Sequence, residues 1–369
     1  MSDTPIDLRY LIKTFIKNGA SDMHLKPGRP PLYRINGKLV PAKMKSLDHL
    51  IIKKMMMDVL SENKKKQLDE KHQTDFSFKV NETGRFRCNL FYQRGHLSAV
   101  VRIIPLITPN IDKLGIPGVV KELAMKTKGL VVVSGPTGSG KSTTLAAMIQ
   151  YINHNASVHV LCLEDPIEYI FTDDKASITQ REIGSDATSF EEGLFAGLRQ
   201  DPDVIVIGEL RDPATMKLAL IAAETGHLVF ATLHTHDART TMERFIDVFP
   251  SEEQAQIRIQ LANVLNGIVS QHLISTSNGE ETIATCEIMI NSPAITEAIL
   301  KNEIVSIPEI IAKSSSLYKM QTFNQDLERK VKNGDITLDE AILVSPKPDD
   351  LRLKIAGVTH DGGYDIKAG

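Results

Sequence analysis

Leu8, Leu11, Ile12 and Phe15 fall at helical spacing within residues 5–18, and Gly19 closes the stretch, so the first element is an amphipathic helix. Ser21–Leu25 reads as a short strand. Leu32–Ile35 and Lys38–Val40 flank Asn36-Gly37, the strongest two-residue hairpin signal. Helical segments follow near 47–60 and 61–71, where Met55–Met57 fill core gaps and Lys64–Lys66 form a solvated face. Strands near 74–80, 85–93 and 97–104 make a meander, turning at Asn81–Gly84 and at Arg94-Gly95-His96. In its middle strand Phe86, Cys88, Leu90 and Tyr92 alternate with Arg85, Arg87, Asn89 and Gln93, so one face is buried and the other carries arginines. Helices and an antiparallel sheet together predict a first α+β domain.

Prolines at 105, 109 and 117 mark a linker, after which the pattern changes to alternating strands and helices, the mark of a parallel α/β sheet. The strands are Leu130–Ser134, Val158–Leu163, Val204–Gly208 and Leu228–Leu233. Beyond Ser251 the chain turns helical, with a hairpin near 270–290 and helices near 321–333 and 337–343. Pro346 and Pro348 end the regular pattern, and Val358–Gly369 reads as disordered. No internal repeat is visible.

Composition narrows the class. The 369 residues suffice for two domains, 42% of them are hydrophobic and 24% charged, and no run approaches about 18 uninterrupted apolar residues. Met1–Arg9 lacks the basic-then-apolar layout of a signal peptide, which predicts a cytoplasmic protein. A formal net charge of −3 argues against a nucleic-acid partner. Cys88, Cys162 and Cys286 are widely spaced in apolar stretches and read as reduced, buried thiols.

Gly135-Pro136-Thr137-Gly138-Ser139-Gly140-Lys141-Ser142 fits the phosphate-loop pattern G-x-x-x-x-G-K-[ST] at every fixed position, and Thr143 follows it. An apolar strand precedes the loop, and Leu145, Met148, Ile149 and Ile152 predict a helix after it, the order the motif requires. Glycines at 135, 138 and 140 let consecutive N–H groups curl around a phosphate, and the helix start adds unpaired donors. Lys141 supplies a cation for the β- and γ-phosphates, and the Ser142 hydroxyl can ligate Mg²⁺. These residues predict a nucleoside-triphosphate site.

Ligands of open α/β sheets sit beyond the carboxyl ends of the strands, and each strand here ends in a polar cluster. Glu209, just past the third strand, can orient an attacking water near a γ-phosphate. Asp212-Pro213 behind it reads as the N-cap and first residue of the next helix. Glu164 and Asp165, after the second strand, can hold Mg²⁺ through water or hold the catalytic water itself. His227 and His234 bracket the fourth strand, and such histidines suit a sensor of the γ-phosphate as well as proton chemistry.

These stretches together resemble the secretion and type IV pilus ATPases: the phosphate loop, Leu163–Glu168 as the "Asp box", Val204–Asp212 as the Walker B region and Glu224–His234 as the "His box". The likeness starts at Ser21–Leu25, passes Gly84-Arg85-Phe86-Arg87 and reaches Met320–Phe323. Within the family, Ile178–Glu182 and Asp350–Leu353 are similar to the twitching-motility retraction branch of PilT and PilU, and most to PilU. The resemblance implies an N-terminal PAS-like domain over residues 1–104, a linker over 105–117, a RecA-like ATPase domain over 118–345 and a tail over 346–369. It implies a homo-hexameric ring binding ATP between subunits, Glu209 as the catalytic glutamate, and Arg85, Arg87 and Arg102 facing the γ-phosphate. A PilT-type ATPase and the inner-membrane pilus platform would be its partners, at the pilus base.

Three departures from the family pattern matter. Gly208 stands where a Walker B aspartate is usual, a replacement that the resemblance implies is normal for this family, leaving Mg²⁺ to Ser142 and ordered water, with Asp165 acting through water. Three scattered cysteines cannot build the four-cysteine zinc module of extension ATPases. Ile310–Ser316 does not match the C-terminal signature of PilT, so a slow-turnover, nucleotide-gated scaffold working beside a PilT-type ring is the alternative to an independent motor. A RecA-type DNA translocase is the weaker third reading, since no basic, aromatic-rich stripe appears.

Overall fold

The computed structural model describes residues 7–35, 37–80, 84–104, 108–279 and 281–356. The turn position Asn36, most of the Asn81–Gly84 turn, Pro105 and the Val358–Gly369 stretch lie outside them. The chain divides into two compact units, the first within residues 1–107 plus Glu168–Ile170, the second within 108–167 and from Phe171 on.

The first unit is built on strands β1 (Asp22–Leu25), β2 (Leu32–Ile35), β3 (Lys38–Pro41), β4 (Gln73–Val80), β5 (Gly84–Gln93) and β6 (His96–Ile104). They form an antiparallel sheet in the order β3-β2-β1-β6-β5-β4. The helix Leu8–Lys17 lays Leu8, Leu11, Ile12 and Phe15 onto a core with Phe86, Cys88 and Leu90, the face its spacing predicts. Tyr92 differs from expectation: it is 37% exposed, because the alternation runs out at the end of β5. On the opposite face Asp22 is 4% exposed and pairs across the sheet with Arg102. The Arg102 Nε donates to Asp22 Oδ1 at 2.7 Å, and Arg34 lies 3.8 Å from the other oxygen. Burial raises the Asp22 pKa, but hydrogen bonds from Ser21 and Arg102 outweigh it and hold the carboxyl below its usual range.

The second unit carries β7 (Gly129–Ser134), β8 (His159–Glu164), β9 (Ser177–Glu182), β10 (Val204–Ile207), β11 (Leu228–Leu233), β12 (Leu265–Ser275) and β13 (Thr282–Ile290). Their order is β13-β12-β7-β11-β10-β8-β9, parallel throughout except for the antiparallel hairpin β12–β13. The sheet is buried on both sides, which is why its strands read as continuous apolar runs. Leu130, Val132, Ile205, Ile207, Val229 and Ala231 face one core; Val131, Val133, Val204, Val206, Leu228 and Phe230 face the other.

Two features of this unit were not legible from pattern alone. The strand β9 is half-buried and polar, an edge strand with no apolar alternation to announce it. The first strand of the expected hairpin joins β7 in parallel, a pairing that spans more than a hundred residues. Pro346 and Pro348 do not end the regular pattern. Pro348 starts the helix Pro348–Ile355, a position where its missing N–H costs nothing, and Leu351 packs fully buried against Ile274, Leu327, Ile336 and Ala341. Among the described residues no helix is long and apolar enough to cross a membrane.

Candidate active site

Strand β7 ends at Ser134, and the chain turns through the glycine-rich loop into the helix Lys141–Asn155. Gly140 has φ of +87°, the left-handed conformation that a glycine adopts without strain. Lys141 is 7% exposed, and its Nζ donates to the carbonyls of Gly135 at 2.8 Å and Pro136 at 3.0 Å. Ser142 and Thr143 follow, half-buried, in the first turn. The ammonium therefore sits inside the curl of the loop, beside the N–H groups that would meet a phosphate.

The carboxyl end of β10 delivers Glu209 to the same edge. A side chain at Gly208 would place its Cβ 3.2 Å from the Leu163 carbonyl oxygen and 3.3 Å from the Glu164 Cα, so the β8 backbone leaves little room for the usual aspartate. Glu209 Oε1 lies 3.2 Å from His234 Nε2, and Oε2 lies 2.7 Å from Arg211 Nη2. Arg211 also faces Asp165 at 4.0 Å. The His234 Nδ1 lies 3.5 Å from both Lys141 Nζ and Thr137 Oγ1. An imidazole with its proton on Nε2 donates to Glu209 and accepts on the lysine side, so one ring links the loop to the glutamate. Burial pushes the Glu209 pKa up, but the Arg211 hydrogen bond and charge, with His234 and Lys141, hold it below the ordinary carboxylate range. Glu209 is thus kept ionised, as a proton acceptor must be.

Glu164 ends β8 and accepts a hydrogen bond from Gln180 Nε2 on β9 at 2.9 Å. Asp212 caps the helix Pro213–Glu224, accepting from Thr215 N and Thr215 Oγ1 at 2.8 Å each, which is the structural role its spacing predicts. His227 is not brought to this cluster. It precedes β11, at the amino edge of a parallel sheet, and its Nδ1 is occupied by the Ala222 carbonyl at 2.9 Å. A six-residue strand separates it from His234, roughly 20 Å of extended chain. Within one chain, the structure brings His234 and not His227 to the phosphate loop. Arg211 and Gln180 are site components that sequence reasoning missed: both lie in stretches that carry the family resemblance, but Gln180 reaches the site only through the pairing of β9 with β8.

Behind the loop His234–Asp237 stands Glu287 of β13, 7% exposed, whose Oε1 accepts from the Ala238 N–H at 2.9 Å at the start of the helix Ala238–Asp247. Burial pushes its pKa to about 7 from an ordinary 4.5, against the lowering effect of the Ala238 hydrogen bond. A carboxyl raised in the folded state contributes stability that is complete below its unfolded pKa and is lost as pH rises through the folded value. Glu287→Gln removes that titration. Its stability relative to wild type is expected to climb by up to about 3 kcal/mol between pH 4.5 and 8, read from urea unfolding at stepped pH. Parallel profiles for the two proteins would refute the assignment.

Residues 4–343 match the Type II/IV secretion system protein family. The chain is 42% identical over 336 residues to the type IV pilus retraction ATPase PilT of Pseudomonas aeruginosa, covering 91% of this chain and 97% of that one. It is 37% identical over 350 residues to the type IV pilus ATPase PilU of the same organism, covering 95% and 91%. These identities do not single out the PilU arm. Among solved structures, the pilus retraction motor PilT with bound ADP superposes with a TM-score of 0.88 at 44% identity, over 94% of this chain and 99% of that one. The Legionella pneumophila ATPase DotB superposes at 0.75 with 26% identity, over 93% and 98%.

Proposed function

This chain belongs to the Type II/IV secretion system protein family and is an ATPase, and from that premise we propose that it is a type IV pilus retraction motor whose working form is a homo-hexameric ring. One observation carries the reading of the site: Glu209, ionised at the end of β10, is joined through His234 to the lysine of the phosphate loop. Lys141 and the loop N–H groups hold the β- and γ-phosphates of ATP. Glu209 orients the attacking water and takes its proton, while His234, touching both sides, registers whether the γ-phosphate is still there. Mg²⁺ would rest on the Ser142 hydroxyl, with Asp165 acting through water, a set of hard oxygen donors that suits an ion reluctant to dehydrate. It would neutralise charge on the phosphates.

Arg87 is exposed on β5, Arg85 beside it is half-buried and donates from Nη2 to Ser77 Oγ at 2.6 Å, and Arg102 holds Asp22; these three are the candidates to face the γ-phosphate of a neighbouring subunit. The domain limits proposed are an N-terminal domain over 1–104, a linker over 105–117 and an ATPase domain from 118, acting in the cytoplasm at the inner-membrane pilus base. The second reading, an accessory scaffold that depends on a PilT-type partner, is favoured by the divergent segment Ile310–Ser316, which lies across the helices Ile307–Lys313 and Ser315–Tyr318. Cells in which this is the sole retraction-type ATPase are expected to retract their pili. Cells with static pili that recover movement when a PilT-type ring is restored would establish the accessory role instead.

A further inference from the structure

Strand β12 lies parallel to β7, the strand that launches the phosphate loop, with Val269 opposite Val133 and Ser270 opposite Ser134. The next residue, Gln271, therefore overhangs the loop. Its side chain is 1% exposed, and its Nε2 donates to the Ser139 carbonyl oxygen at 2.6 Å. Two loop glycines are small because Gln271 occupies their space. A Cβ on Gly135 would lie 2.3 Å from the Gln271 carbonyl oxygen, and one on Gly140 would lie 2.9 Å from its Nε2.

The burial is costly. Gln271 Oε1 is buried without a hydrogen-bond partner among the described residues. An unsatisfied buried acceptor is worse for stability than an apolar side chain of the same shape. Stability alone does not account for a glutamine here, whereas its donor group does.

We infer that Gln271 is a positioning residue for the phosphate loop, acting on the Ser139–Gly140 peptide. That peptide is trans, so its C=O and N–H point in opposite directions. Holding the Ser139 carbonyl toward β12 turns the Gly140 N–H away from β12 and into the curl where Lys141 sits, as a fixed donor to the diphosphate portion of the nucleotide. The inference rests on the nucleotide-site reading above and adds to it a residue that touches the loop and not the ligand.

The test uses the full chain and measures ADP and ATP affinity by calorimetry, together with kcat and KM. Gln271→Met keeps the volume and removes the donor. Its affinity for both nucleotides is expected to fall about ten-fold or more, since a hydrogen bond to a charged phosphate is at stake, while kcat at saturating ATP changes less than about three-fold and the nucleotide-free melting temperature holds. Gln271→Glu, which keeps the shape but turns an acceptor toward the Ser139 carbonyl, is expected to lose at least as much and carries the test should the methionine variant not fold. A folded variant of either kind that binds ADP as wild type does would overturn the inference. Failure of wild type to bind ADP would instead bring down the nucleotide site itself, so the two outcomes are distinct.

Discussion

Glu209→Gln is expected to lower steady-state ATP hydrolysis by roughly 10²–10⁴-fold, the span that loss of a positioned general base produces, while ADP and ATP affinity stays within a few-fold of wild type. The amide keeps the size of the carboxylate and can still accept where Arg211 now donates; its NH2 then faces His234 Nε2, which accepts it once the imidazole proton moves to Nδ1. What it lacks is a site for the water's proton. Phosphate release under saturating Mg-ATP, alongside nucleotide binding, measures both halves of the expectation. Hydrolysis at the wild-type rate would remove Glu209 from the mechanism and leave Glu164, held by Gln180 at the end of β8, as the next carboxylate to consider.

Lys141→Ala is expected to do the reverse and fail at binding. Truncating one partner of a buried, hydrogen-bonded charge contact costs about 2–5 kcal/mol, a loss of affinity of roughly 30-fold to several thousand-fold. Because the ammonium also bonds the Gly135 and Pro136 carbonyls, the loop loses an internal brace, and the variant's fold is to be checked by its melting curve before affinity is read. Tight ADP binding by a folded Lys141→Ala protein would contradict the phosphate-loop reading. The two variants separate grip from chemistry: one holds nucleotide without cutting it, the other does not hold it.

The parts of the site that lie close in sequence were readable because their physics is local. A β-branched run, three glycines, a lysine and a helical face are all present between Leu130 and Ile152, and the structure assembles them in that order. Glu209 was legible for the same reason, as the carboxylate that follows an apolar strand. Gln271 and Gln180 were not, since each reaches the site only through a pairing between distant strands. The histidines teach a finer point. His227 and His234 look equivalent as brackets of one strand, yet a strand has a direction, and in a parallel sheet only its carboxyl end faces the ligand. Arg102 shows the opposite limit: its charge was visible, but the buried Asp22 that occupies it belongs to a strand 80 residues away.

The short helix at Pro348–Ile355 sets a limit on trimming the polypeptide. Cutting at Pro346, where the pair of prolines invites it, would discard Leu351 and lay bare the seat it fills, a loss of about 1.5–3 kcal/mol for one leucine. Part of that seat is Ile274, three residues beyond Gln271 on the same strand. A shortened protein with weakened nucleotide binding would therefore report on a slackened β12, and not on any contact between the discarded segment and the phosphates.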